Sequence, residues 1–290
     1  MWLNREVPFQ VTPDEGTHCI YEDGWKVQAY PMLPWFHAVD TVMSQGSRQM
    51  DWSGVDFVAS RNTLRKLLRW TKESKPDDFR IDTQLAGERT VVFGQWVERM
   101  WMNADKRYPG YGRSFEHEST CAAPGLEHLN TTGHTRIIKY TFGGLTMVVG
   151  FEVDAYIASG NPSGPLTVEE ATFSPNNLRT DVPHKPYVDV IHAGSQVPQE
   201  NLVEIKTGKK IRWKETYPQL FLSQTPHLFA ASHEQGQFHQ IRRLTTNDPE
   251  MRELAAGFQG DFSRLRNALV LSRDALRRHK QSARLSLNLC

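Results

Sequence analysis

Two short acidic motifs concentrate the chemistry of this sequence: Glu152-Val153-Asp154, and further on Glu204-Ile205-Lys206. Each lies in a run rich in β-branched and aromatic residues, Leu145 to Ile157 and Asn201 to Thr207, which predicts a strand. Side chains on a strand alternate faces, so Glu152 and Asp154 are expected on one face and Val153 on the other. The same rule sets Glu204 beside Lys206, with Val203 and Ile205 opposite. If the strands are neighbours, three carboxylates and one ammonium converge on one patch. Carboxylates that close cannot all stay ionised without a cation. Lys206 supplies one charge. Hard divalent ions such as Mg2+ or Mn2+ suit the remaining oxygen ligands, and such sites serve phosphate chemistry. Taken singly, an acid-x-acid pair on a strand is often only a solvated face. Both motifs here are embedded in strongly apolar runs, where an unpaired charge is costly, and that favours a working site.

Three further residues are candidates for the same site. Glu88 to Ala104 reads as an amphipathic helix with Phe93, Val97, Met100 and Trp101 on one face, and Glu98 lies at the edge of that stripe. Arg61 precedes a helix carrying Leu64, Leu67 and Leu68, and a helix start favours anions such as phosphate. Gln219 falls on a short helical segment from Tyr217 to Ser223. As isolated residues, Glu98 and Arg61 read more readily as surface charges, and Gln219 as helix surface. His227, His233 and His239 have a spacing that matches no helix or strand ligand pair, and they read as structural or surface residues. Arg242 and Arg243 close a strand, while Arg273, Arg277, Arg278 and Lys280 form a basic helix end favoured by its dipole.

The elements that must position these groups belong to one α+β domain spanning 1–290. Residues 1–55 are irregular and rich in Pro, Gly and single aromatics, suggesting loops and short helices wrapped on a core. Lys75-Pro76-Asp77-Asp78 is a turn, and 111–133 is loop-like. Thr135 to Phe142, Gly143-Gly144, and Leu145 onward predict a hairpin. Residues 158–200 are the least regular stretch and separate the two acidic motifs. His227 to Ala231 and Phe238 to Leu244 predict a second hairpin, and helices follow over 249–280 with Phe262, Leu265, Leu269 and Leu276 on one face.

A chain of 290 residues with 39% hydrophobic and 10% aromatic content can bury a substantial core. Its 34 basic and 33 acidic residues nearly balance, which excludes a uniformly basic nucleic-acid coat yet allows a local basic groove. Cys19, Cys121 and Cys290 are odd in number and have no zinc-type spacing. The start of the chain has no signal-peptide pattern, and no apolar run approaches a membrane span. A soluble intracellular protein with no membrane partner is expected.

The ordered set Arg61, Gly94-x-x-x-Glu98, Glu152-Val153-Asp154, Glu204-Ile205-Lys206 and Gln219 resembles the DXO-type decapping nucleases, which include the decapping partners of the Rat exonuclease. The match covers roughly 56–245. Family members carry Trp before and Gly after the motif arginine; Ser60 and Asn62 stand there in this chain. The resemblance implies two packed, mixed β-sheets flanked by helices, with the site in the cleft between them. It implies Glu98, Asp154, Glu204 and the carbonyl of Ile205 as ligands of Mg2+ or Mn2+, of which there are two ions, with Glu152 binding directly or through water. By the same resemblance Lys206 positions the attacking water, and Arg61 and Gln219 hold RNA phosphates.

The expected function is therefore a metal-dependent hydrolase of RNA 5′ ends that removes pyrophosphate, incomplete caps or NAD-type caps, with 5′–3′ exoribonuclease action as a further expectation. A nuclear location, or else a cytoplasmic one, and a Rat-type exoribonuclease partner go with that family. Two other readings stand beside it: a restriction-like metal-dependent DNA nuclease, which shares the acid-x-Lys layout, and a catalytically degenerate RNA-binding or partner-binding protein.

Overall fold

The structure, a computed structural model, describes residues 1–19, 32–72, 78–95, 101–105, 107–128, 131, 133–158, 193–279 and 284–289. Two mixed sheets form its frame. One has six strands: β3 (Phe57–Ser60), β4 (Phe79–Ala86), β5 (Thr90–Gln95), β7 (Thr135–Phe142), β8 (Leu145–Glu152) and β13 (Arg284–Leu289), ordered β13-β4-β5-β3-β8-β7. The other has five: β1 (Phe9–Gln10), β9 (Ala155–Tyr156), β10 (Leu202–Thr207), β11 (His227–Glu234) and β12 (Gln237–Thr245), ordered β1-β12-β11-β10-β9. A separate pair joins β2 (Thr17–Cys19) to β6 (Trp101–Asn103). The expected α+β class with two mixed sheets and flanking helices is what the chain adopts.

Strand alternation explains the layering. On β3, Phe57 and Ala59 enter the main core while Val58 enters another; on β8, Met147 and Val149 face the first and Val148 the second. The main core is closed by α2 (Arg61–Lys72), α4 (Trp213–Ser223), α5 (Pro249–Gly257) and α6 (Gln259–Arg278), through Leu64, Leu67, Leu220, Phe262, Leu265 and Leu269 among others. Leu228 of β11 also joins it, so both sheets share this core. The second face of the six-stranded sheet is covered by α1 (Leu33–Gln45), whose Trp35 lies so close to Gly150 that an added Cβ would come within 2.1 Å of its ring. A third cluster, with Trp2, Phe9, Phe115, Val203, Ile205, Phe229 and Phe238, covers the five-stranded sheet.

Both hairpins form as expected. Gly143 and Gly144 turn the first at φ 54° and 82°, and Gln235 and Gly236 turn the second at φ 47° and 84°. Two positive-φ residues in succession match the right-handed twist of the paired strands. The C-terminal helices also form as expected.

Among the described residues of 88–104 the predicted helix is replaced by strands: β4 turns at Gly87 and returns as β5, antiparallel, and β6 follows within the same span. Val91 and Phe93 face the main core while Val92 packs on the other side, a strand period that overrides the helical reading of the same apolar residues. Residues 111–133 are not all loop, because α3 (Gly112–Ser119) occupies part of them, anchored by fully buried Phe115. Burying a phenylalanine contributes about 1.5–3 kcal/mol, enough to hold a short helix that its own propensity would not. Among the strands missed are β4 and the late β13, which pair with each other from Phe79↔Leu289 to Gln84↔Arg284. The irregular N-terminal stretch contains the 13-residue α1. Glu98, most of the turn at 75–78 and most of the stretch 158–200 lie outside the described residues. Among the described residues, no helix is long and apolar enough to cross a membrane.

Candidate active site

The acid-x-acid motif is the crossing point between the sheets. Glu152 ends β8 in the six-stranded sheet, Val153 and Asp154 leave the strand, and Ala155 opens β9 in the five-stranded sheet. Glu152 and Asp154 therefore do not share one strand face, as alternation had suggested. Val153 is only partly buried and belongs to none of the core clusters.

Strand pairing then brings the two motifs together. β9 and β10 are antiparallel, with Leu202↔Tyr156 and Val203↔Ala155 in register. One further step would set Glu204 opposite Asp154. There the ladder stops, and the Asp154 carboxylate accepts the backbone N–H of Ile205 at 2.7 Å. Val203 and Ile205 enter the aromatic core of the five-stranded sheet, so alternation turns Glu204 to the other side, as expected.

Glu204 is 2% exposed, and two cations hold it. Arg61 Nη1 lies 2.6 Å from one carboxylate oxygen and Lys206 Nζ 2.5 Å from the other. Arg61 is the first residue of α2, directly after β3, and its guanidinium passes over the ring of Phe151 at 5.6 Å. The ion pair thus ties the six-stranded sheet to the five-stranded one. Ser60, the departure noted beside this arginine, accepts the N–H of Thr63 at 3.1 Å and caps the helix. Arg61 is buried and bonded to a carboxylate, where the sequence had suggested a phosphate clamp at an open helix start.

The charges are unevenly compensated. Burial raises the Glu204 carboxyl, but Arg61 and Lys206 overturn this and bring it down to about 2. Asp154 is held well above the carboxylate range, by burial first and by the Glu204 charge second, with Lys206 opposing. One further carboxylate belongs to the group. Glu116 on α3 is pushed up to about 7 by burial and by the charge of Glu152, with Lys206 and Arg113 opposing. Glu152 itself lies over Gly133, where an added Cβ would come within 3.2 Å of its Oε1.

Glu116 was missed by the sequence reading, although a signal was present. Gly112-x-x-x-Glu116 repeats the spacing of Gly94-x-x-x-Glu98, and its penultimate residue is the buried Phe115. That ring seats α3 on the aromatic core, and α3 packs against β10 with Gly112 beside the Thr207 hydroxyl. Among the described residues, the glutamate that approaches the two motifs from a helix is Glu116, whereas Glu98, the one expected there, lies outside them. Gln219 lies on α4, partly buried, on the helix that packs against α2 and β8. Of the three histidines, His227 bonds the carbonyl of Glu200, and His233 packs between Tyr111 and Phe238.

The oxygen donors gathered here are carboxylates, the ligand type that hard divalent ions take, and two of them hold protons tightly through burial and neighbouring charge. The expected gathering of three or more carboxylates at metal-binding distance is not present among the described residues. Arg61 and Lys206 occupy both oxygens of Glu204, and the Ile205 N–H takes one of Asp154.

Comparison with curated proteins gives no match. Among solved structures, the chain is similar to S. pombe Rai1, with a TM-score of 0.58 and 16% identity over 99% of this chain and 77% of that one. It is similar to S. pombe Rai1 in complex with 3′-FADP, with a TM-score of 0.55 and 14% identity over 97% and 76% of the two chains. A third is Candida albicans Rai1 in complex with pU5 and Mn2+, with a TM-score of 0.52 and 12% identity over 88% and 70%. At these identities the likeness is one of fold, and it is the fold that the resemblance to the DXO-type decapping nucleases had implied. One family profile, described as a domain of unknown function, DUF8563, matches residues 1–287, and the chain belongs to that family.

Proposed function

We propose that this protein is a divalent-metal-dependent hydrolase acting on RNA 5′ ends. The observation that carries the reading is the cluster at the sheet crossing: Glu204 buried between Arg61 and Lys206, with Asp154 and Glu116 beside it, whose carboxyls burial and neighbouring negative charge hold above their ordinary range. The Rai1 fold supports it, since one such protein was captured with pU5 and Mn2+. Asp154, Glu204, Glu116 and the Ile205 carbonyl would hold the ion, with Glu152 contributing directly or through water. A bound divalent ion supplies an acidified water and neutralises charge on the phosphate.

The chain's own groups divide the remaining work. Arg61 fixes the Glu204 carboxylate from the neighbouring sheet. Lys206 is 31% exposed on its side chain and spends one N–H on Glu204, which leaves two donors for the attacking water or a phosphoryl oxygen. Gln219 contributes an amide to the RNA phosphates. Lys206→Met should therefore abolish turnover and retain metal binding.

The pairing of Glu204 with both cations favours one second reading, a non-catalytic RNA-binding protein whose basic residues replace the ion. A panel of RNAs with triphosphate, monophosphate, unmethylated-cap and NAD 5′ ends, assayed with Mn2+ or chelator beside duplex DNA, separates them. Mn2+-dependent release from RNA ends supports the hydrolase. RNA binding without turnover supports the second reading, and undiminished activity in chelator refutes the metal mechanism.

A further inference from the structure

The carboxylate cluster has a basic border on one side that the proposed chemistry does not use. β10 runs from Glu204 through Lys206 and Thr207 and leaves the sheet at Gly208, where φ is 139°. The chain continues as Lys209-Lys210-Ile211-Arg212 before α4 begins at Trp213. Lys209, Lys210 and Arg212 are exposed. Arg113, also exposed, stands on the first turn of α3, which packs against β10 with Gly112 close enough to Thr207 that an added Cβ would come within 3.3 Å of its hydroxyl. Asp14 is the acid at this border, where it accepts the N–H of Ser114 and opposes Lys209 at His233.

Arg113, Lys209 and Lys210 make no ion pair among the described residues, while Arg212 faces Glu215 at 3.4 Å with 81% of its side chain exposed. Lys209 lies near enough to His233 to lower its proton affinity, after burial, and His233 packs on Tyr111 at 5.0 Å. An aromatic ring and at least four cations therefore surround the end of the strand that carries Lys206. The protein as a whole is nearly neutral, with a net charge of +1, so this is a local concentration and not a general basic character. A basic border with an aromatic group, opening directly beside a site for phosphate chemistry, has the composition of a single-strand track.

We propose that Arg113, Lys209, Lys210 and Arg212 form the track that holds the RNA backbone downstream of the 5′ end. This rests on the RNA-end reading of the site. The track makes affinity depend on RNA length and on salt, while the carboxylate cluster handles the terminal phosphate. It selects single strands, whose flexible backbone can follow one strand end and one helix start.

The test uses the full chain with Lys209→Gln/Lys210→Gln, two exposed positions whose change leaves the core intact. Binding of a 5′-monophosphorylated dodecamer and of a dinucleotide is measured by fluorescence anisotropy between about 50 and 200 mM salt. The wild type should bind the dodecamer more tightly, with a salt slope that the variant lowers by about 1.4, since each single-strand phosphate contact contributes about 0.7. Dodecamer affinity should fall about tenfold and the difference between the two RNA lengths should shrink. An unchanged slope with intact dodecamer binding overturns the track and leaves the active-site reading standing. Loss of affinity for both lengths alike overturns it in favour of a direct role at the 5′ end. Tighter, salt-sensitive binding of polyglutamate than of the dodecamer overturns it in favour of an acidic protein partner. A wild type that neither binds nor cleaves any RNA ends both readings together.

Discussion

Arg61→Met tests how the two sheets are joined. The substitution keeps most of the side-chain stem and removes the guanidinium that lies 2.6 Å from Glu204. With side-chain exposures of 5% and 3%, neither partner is rescued by solvent. Removing one member of a buried pair costs about 3–5 kcal/mol, and the lower end applies because Lys206 remains on the other oxygen. Linkage gives the same order. Lowering Glu204 from 4.5 to about 2 corresponds to about 3 kcal/mol of stability at neutral pH. That stability is present above the ordinary value and is lost as pH falls through the folded one, and both cations share in it. A loss of about 3 kcal/mol should lower Tm by roughly 6–12 °C in chelator-containing buffer at pH 7. Adding Glu204→Gln to Arg61→Met removes the uncompensated charge and should recover about 1 kcal/mol or more, whereas Glu204→Gln alone should destabilise by leaving Arg61 unmatched. Denaturant titration of the four proteins closes the cycle. A wild-type Tm for Arg61→Met, or strictly additive effects in the double variant, would refute the role given to this pair.

Glu116→Gln should weaken Mn2+ binding at least tenfold by calorimetry, whereas Glu118→Gln, at the exposed pair with Arg5, should leave it unchanged; equal affinities would remove Glu116 from the site. Asp56 is 3% exposed; burial raises its carboxyl, but the hydrogen bonds from Arg89 and Thr146 and the charge of Arg273 bring it below the ordinary value. It thus stabilises the fold above pH 3.8 and loses that effect as pH falls through the folded value. Asp56→Asn should cost about 2–4 kcal/mol near pH 7 and progressively less towards pH 3, and a pH-independent difference in urea titrations would contradict this. Gly150→Ala should cost about 2 kcal/mol or more, because the new methyl meets the Trp35 ring, and Trp35→Leu in the same chain should recover part of it; thermal melts without such recovery would place the strain elsewhere.

What the sequence alone determined is local. The period-two runs at 135–152 and 201–207, with their glycine turns, specify strands and put Val203 and Ile205 opposite Glu204 whatever the rest of the chain does. The stripe of Leu64, Leu67 and Leu68 behind Arg61 likewise specifies α2. The ordered motifs carried the resemblance, and with it the two-sheet fold. Where the apolar pattern fits both periods, local reading fails. Val91, Val92 and Phe93 became a strand because β4 and β3 lie on either side to pair with it.

Only the tertiary structure decided which charges meet. Glu152 ends a strand of one sheet and Asp154 directly precedes a strand of the other, because the chain crosses between the sheets at Val153 and Asp154, and no periodicity announces such a crossing. The pairing of β9 with β10 sets Asp154 against Glu204, and Arg61 reaches the same carboxylate from the other sheet. The pattern Gly-x-x-x-Glu occurs at 94–98 and at 112–116, and the spacing cannot distinguish them. Among the described residues, burial of Phe115 in the aromatic core brings the second glutamate to the motifs. Spacing specifies which way a side chain points from its own element, but distances between elements are set by packing, which depends on the whole chain at once.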